Sequence, residues 1–234
     1  MFSRYYSSIL PNYDHCVIAS SLGVNENIAL YVHGAGDSAD SWMRKRERFH
    51  LFNDIFSEGY SILSPNLGGP QTWGNDTQQH AITNAYNYIK AETGREKITL
   101  IGQSMGGMGA FIWAKNNPEK IDRIAAILPV INIEDLHSRP DYHRTLIDAA
   151  YGGAYIDATM GSQRNPIRIA ANGDLSSVNI CVWYGLNDDL CKPSSAVDFQ
   201  RSSGCKLIGV SGGHQESTAY NVAGNEFREF IRWR

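Results

Sequence analysis

The chain has 234 residues, 42% hydrophobic, 11% aromatic and 19% charged, with a formal net charge of −3. That profile is too apolar and aromatic for a disordered segment and too mixed for a coiled coil or a collagen-like rod. The slightly acidic balance, with no basic run beyond Arg44-Lys45-Arg46, speaks against a nucleic-acid-binding surface.

No apolar run approaches the ~20 residues needed to cross a bilayer. The N-terminus (Met-Phe-Ser-Arg-Tyr-Tyr) lacks the apolar region of a secretory signal, so the expectation is a cytoplasmic chain without a membrane span. Cys16, Cys181, Cys191 and Cys205 form no CxxC pair and no zinc-spaced cluster. They read as reduced thiols packed as small hydrophobes, with a bridge from Cys181 or Cys191 to Cys205 as the alternative in an exported protein.

In chain order, apolar β-rich runs alternate with amphipathic stretches, the pattern of a βαβ sheet. Residues 14–22, 27–33 and 60–65 read as strands, and 41–58 between them as one amphipathic helix stopped by Gly59. A glycine-rich loop spans Asn66 to Asn75. A helix over 77–93 closes at Gly94. A strand over 97–101 leads to a helix from Gly106 to about Asn116, then a strand over 122–131. Periodicity weakens over 132–178, which is expected to be a cap insertion within a single domain spanning 1–234. The rhythm returns with a strand at 179–185, a helix near 193–202, a strand at 205–210 and a final helix at 218–233.

The sharpest motif is Gly102-Gln103-Ser104-Met105-Gly106, a G-x-S-x-G between a buried strand and a helix. A serine at such a turn holds its hydroxyl above the sheet, and the flanking glycines avoid clashes. The hydroxyl is a weak nucleophile and needs a base. Of the histidines that follow, His137 and His143 lie in the irregular insertion. His214 lies in Ser211-Gly212-Gly213-His214, directly after the last strand, where such sheets build their sites. The acid that would orient it belongs past the neighbouring strand, in Gly185-Leu186-Asn187-Asp188-Asp189. The spacing favours Asp188. Asp189 and, more remotely, Asp135 stay as alternatives.

Acyl transfer also requires donors for the oxyanion. The backbone N–H of Met105 is one candidate. The second is Ala35 in His33-Gly34-Ala35-Gly36, with Gly36 close behind, while His33 itself reads as a structural loop residue. Gly36, Trp73 and Tyr151 are the expected substrate contacts. Trp42, Trp73, Tyr151 and Tyr155 would either line an apolar acyl pocket or pack as core.

These segments, in this order, resemble the α/β-hydrolase superfamily along nearly the whole chain. The resemblance implies an α/β fold with a mostly parallel, eight-stranded sheet flanked by helices, and neither metal nor organic cofactor. Serine at the elbow is similar to the esterase, lipase, thioesterase and peptidase branches and unlike those that carry aspartate there. The expected activity is cleavage of a small-molecule or acyl ester through an acyl-enzyme on Ser104, with His214 as base. A thioesterase, a peptidase or a non-catalytic small-ligand receptor on the same fold are the alternatives.

Overall fold

The computed structural model describes residues 3–9, 15–21, 27–44 and 48–232. Eight strands form one sheet: β1 (Ser3–Ile9), β2 (His15–Ser21), β3 (Asn27–Val32), β4 (Tyr60–Pro65), β5 (Ile98–Gln103), β6 (Ile121–Ile127), β7 (Ile180–Gly185) and β8 (Lys206–Val210). Their order is β1-β2-β4-β3-β5-β6-β7-β8. The β1–β2 and β2–β4 pairs are antiparallel, and every pair from β4 through β3 to β8 is parallel. This is the α/β-hydrolase fold that the sequence resemblance implies.

The parallel strands from β4 to β7 are largely buried on both faces, so their side chains alternate between two cores, while β8 at the edge is partly exposed. Leu30, Val32, Ile124 and Ala126 face one core with helices α3 (Asp76–Thr93) and α4 (Met105–Asn116). Ala29, Tyr31, Ala125 and Ile127 face the other. There they meet α1 (Ser41–Arg44), α2 (Phe49–Ser57), α10 (Glu216–Tyr220) and α11 (Asn225–Ile231). The continuous apolar runs of β3, β5 and β6 follow from this two-sided burial.

Three expected boundaries differ. The helix expected over 41–58 is divided into α1 and α2, and residues 45–47 lie outside the described residues. The final helix is two: the chain turns before Gly224, whose N–H donates to Asp54 Oδ2 at 2.6 Å, and α11 starts afresh. The strand expected over 122–131 ends at Ile127 because Leu128 adopts φ 46°. That turn lifts the chain out of the sheet and brings the Val130 N–H to the Ser104 carbonyl at 3.0 Å.

Residues 132–178 contain four short helices: α5 (Ile133–Ser138), α6 (Tyr142–Ala150), α7 (Asp157–Arg164) and α8 (Pro166–Ala171). Ile133, Leu136, Ile147, Tyr155 and Ile169 are buried in the same core as α4 and α9 (Pro193–Ser203). None of the four cysteines, all among the described residues, is in a disulfide. Burial pushes the Cys181 thiol up to about 12. Among the described residues no helix is long and apolar enough to cross a membrane.

Candidate functional site

Ser104 sits at the junction of β5 and α4 with φ 52° and ψ −118°, a conformation L residues avoid at a cost of about 1–3 kcal/mol. The surroundings hold it there. Its N–H donates to the Ile127 carbonyl at 2.9 Å, and its carbonyl accepts from Gly107, Met108 and Val130. Gly106 passes so close to β3 that a side chain would strike the Val32 and His33 carbonyls. Gly102 in turn lies against the Gly106 and Gly107 backbone, so one glycine of the motif lets the elbow approach β3 and the other lets α4 start close to β5.

His214 reaches Ser104 from the loop after β8. Its Nε2 lies 2.8 Å from Ser104 Oγ, and its Nδ1 lies 2.8 Å from Asp188 Oδ2. Two loops are stitched together to achieve this. Asn187 N–H donates to the Gly212 carbonyl at 2.9 Å, and Leu186 N–H to the Val210 carbonyl at 2.9 Å. Gly185 packs against the Gly212 and Gly213 carbonyls, which a β-carbon would approach to 2.8 and 3.2 Å. Asp188 is 2% exposed, and its other oxygen accepts the N–H groups of Leu190 at 2.9 Å and Cys191 at 2.7 Å. These two backbone donors fix Oδ1, so Oδ2 stays aimed at the imidazole. Burial draws the His214 pKa down, but Cys191 and Asp188 beside it outweigh burial, and the net shift is upward.

Of the two neighbouring aspartates, Asp189 points to solvent, and its carbonyl accepts from Arg139. Asp135 pairs with Arg139 and Lys192, away from His214. His137 is paired with Asp148, and His143 packs edge-on to Trp73 with ring centroids 6.0 Å apart. His33 is wholly buried, its ring nitrogens facing the Gly34 and Asn66 carbonyls, and burial lowers its pKa.

Met105 is the first residue of α4, where a helix leaves its N–H groups without intrahelical partners. Of the two candidates in the loop after β3, Gly36 spends its N–H on the Pro70 carbonyl at 2.8 Å. Ala35 is exposed beside the serine. Both Ala35 and Ser104 line a cleft of about 310 Å³ together with Gly34, Asp37, Gln103, Leu128, His214, Gln215 and Glu216.

Gly36, Trp73 and Tyr151 do not line that cleft. Trp73 is 2% exposed in the core, and the Tyr151 hydroxyl donates to its carbonyl at 2.8 Å, tying the 66–75 loop to the insertion. Trp42 packs on Phe52 with centroids 4.6 Å apart, and Tyr155 is buried, so these aromatics are core. No residue of 66–75 or 132–178 lines the cleft. The insertion reaches the site elsewhere: Asn132, Asp135 and Leu136 line a small cavity of about 10 Å³ beside Asp188 and Cys191.

Three features were not anticipated from sequence. Glu216 and Gln215 at the cleft simply follow His214, and Leu128 follows β6, so proximity in sequence was their only signal. Arg48 is fully buried, its Nη2 2.8 Å from both Asp37 Oδ2 and Glu216 Oε1. Nothing local distinguishes it from a surface arginine. Cys191 lies against His214 and Asp188.

The α/β-hydrolase fold family model matches residues 30–175. Over 114 residues the chain is 30% identical to the dihydrolipoyllysine-residue acetyltransferase component of an acetoin cleaving system from Cupriavidus necator. That stretch is 46% of this chain and 28% of that protein, so the chain spans well under two thirds of this relative. Among solved structures it is similar to an S-formylglutathione hydrolase from Agrobacterium tumefaciens, with TM-score 0.71 and 14% identity over 98% of this chain and 95% of that one. It is also similar to a fluorophosphonate-binding serine hydrolase of Staphylococcus aureus, with TM-score 0.73 and 15% identity over 98% and 96% of the two chains. At such identities the likeness is one of fold. By the family match and the architecture together, the chain belongs to the α/β-hydrolase fold family.

Proposed function

We propose that this protein is a serine hydrolase that cleaves carboxylic esters through an acyl-enzyme on Ser104, with His214 as base and Asp188 as the orienting acid. The observation that carries the reading is the unbroken line of hydrogen bonds from Ser104 Oγ through His214 to Asp188, each step 2.8 Å. Nucleophile, base and orienter within hydrogen-bond reach are what acyl transfer needs.

In this reading Ser104 Oγ attacks the ester carbonyl while its proton passes to His214 Nε2. The Asp188 carboxylate holds the Nδ1–H and stabilises the imidazolium. The oxyanion accepts the N–H groups of Met105 and Ala35, and each such donor is worth roughly 10²–10³ in rate. His214 then protonates the departing alcohol. Water, deprotonated by the same nitrogen, attacks the acyl-enzyme, and the proton returns to Ser104 as the acid leaves.

Six of the nine residues lining the cleft are polar or charged, and Leu128 and Ala35 are its only apolar side chains. Acyl pockets for long chains are predominantly apolar. We therefore assign a short or polar acyl group. The 132–178 segment is proposed to act as a wall behind Asp188, through Asn132, Asp135 and Leu136, instead of as a lid over Ser104.

A fluorophosphonate probe and a panel of p-nitrophenyl esters, thioesters and aminoacyl amides test the reading. Labelling and ester turnover should both vanish in Ser104→Ala, and acetyl esters should exceed dodecanoyl esters. Labelling without turnover would favour a receptor. A preference of about 10²-fold for thioesters or amides, near 2.7 kcal/mol of transition-state binding, would move the chain to those branches. Full activity in Ser104→Ala would sink the proposal.

A further inference from the structure

We propose that Asp188, Cys191 and His214 form a site for a thiophilic divalent cation of the zinc and cadmium class, and that its occupation switches the enzyme off. The loop after β7 turns at Asp188 so tightly that the Cys191 N–H bonds back to Asp188 Oδ1 at 2.7 Å. That turn carries the thiol to the imidazole already held by Oδ2. One ligand atom from each of the three side chains lies within 4.8 Å of the other two. No other trio of His, Cys, Asp or Glu side chains is drawn together in this way among the described residues.

The donor chemistry selects the ion. One thiolate, one imidazole and one carboxylate suit zinc or cadmium in a three-ligand site with an open fourth position. Magnesium and calcium prefer oxygen throughout and would gain little here. Asp188 is buried while Cys191 and His214 are half-buried, so an ion has a route from solvent. The Cys191 thiol neither attacks the ester nor carries a proton in the cleavage proposed for Ser104, His214 and Asp188.

The position of the ion dictates its effect. Nε2 of His214 is turned to Ser104, and Asp188 lies against Nδ1, so an ion sharing the carboxylate and the ring takes Nδ1. A neutral imidazole carries one N–H. With the ion on Nδ1 that proton resides on Nε2, so Ser104 meets a donor where the reaction needs a lone pair. The thiol proton is released to solvent on binding. No oxidant or reductant is involved. The base is therefore disabled by a change of tautomer, and kcat falls while the substrate cleft stays open.

The inhibitory effect rests on the serine-hydrolase reading, whereas the binding does not, and two readouts separate them. Zinc, cadmium and magnesium chlorides are titrated against p-nitrophenyl acetate hydrolysis by the full chain, and cadmium binding is followed by its ultraviolet thiolate charge-transfer band. Zinc and cadmium should suppress kcat reversibly on chelation, and magnesium should not. Cys191→Ser, measured against its own metal-free rate, should require roughly tenfold or more zinc for half-inhibition, and should lose the cadmium band. Cys191→Ala should behave alike. Ser104→Ala, inactive, should keep the band. Equal zinc sensitivity in wild type and Cys191→Ser, or no band in the wild type, overturns the site. A band in the wild type without any Ser104-dependent hydrolysis supports the site and overturns the switch together with the hydrolase reading.

Discussion

A β-carbon placed on Gly106 would stand 2.0 Å from the Val32 carbonyl oxygen and 2.5 Å from that of His33. Both are backbone atoms of β3 and the loop that carries Ala35. They cannot yield without parting β3 from β5, where Val32 pairs with Gly102. Gly106→Ala should therefore cost at least the ~1–3 kcal/mol typical of overpacking. It should also lower ester turnover, since the clash displaces both the serine elbow and the Ala35 loop. Urea unfolding with parallel kinetics checks this; unchanged stability and rate would contradict the packing argument.

Asp188 and Asp189 are neighbours in sequence with opposite environments, one buried against His214 and one in solvent. Asp188→Asn should lose roughly 10⁴-fold in kcat, because an amide favours the wrong imidazole tautomer. Asp189→Asn should stay within a few-fold of wild type. The reverse order, measured as kcat with one ester, would transfer the orienting role to Asp189.

Arg48 joins the loop after β3 to the segment following His214 through Asp37 and Glu216. Its guanidinium also lies 5.8 Å from the Tyr220 ring centroid. Breaking such a buried ion pair from one side costs about 3–5 kcal/mol, because it strands buried charge. Arg48→Met should show that loss in denaturant unfolding, together with weaker turnover as the His214 loop loses its anchor. A loss under about 1 kcal/mol, the range of exposed pairs, would show that the cluster is hydrated.

Asp148 Oδ1 accepts the Tyr155 N–H at 2.8 Å and lies 2.7 Å from His137 Nε2. The Tyr155 N–H, with His137 behind it, holds the Asp148 pKa below its ordinary value of 3.8. A depressed carboxylate contributes stability that is present above the unfolded pKa and lost as pH falls through the folded one. Amide exchange of α5–α7 should accelerate below pH 3.8 in the wild type. In Asp148→Ala exchange should be faster already at neutral pH and respond less to acid. Equal acid responses in both proteins would remove Asp148 from the account.

Most strands were legible because their signal is local. β4 appears at its expected residues, and β5, β7 and β8 within a residue or two, since each is an apolar run between turn residues. The elbow was legible for the same reason: Gly102, Ser104 and Gly106 declare a strained turn within five residues. The end of β6 was not, because Leu128 turns out of the sheet only where Val130 can bond to Ser104. The aromatics misled in the same way. Trp73 and Tyr151 meet each other across 78 positions of sequence, and composition does not reveal which large side chains a core will take.

The sequence by itself determined the βαβ rhythm, the serine at a strand–helix turn, and the order of a serine, an aspartate and a glycine-flanked histidine along the chain. Tertiary structure decided which aspartate faces His214, that Arg48 is buried beneath the cleft, that 132–178 joins the core, and that a thiol stands beside the imidazole. The physical reason is the sheet order. Periodicity and turn strain depend on residues a few positions apart. The meeting of side chains at the carboxyl edge depends on β5, β6, β7 and β8 lying side by side, which brings loops from distant parts of the chain within hydrogen-bond reach.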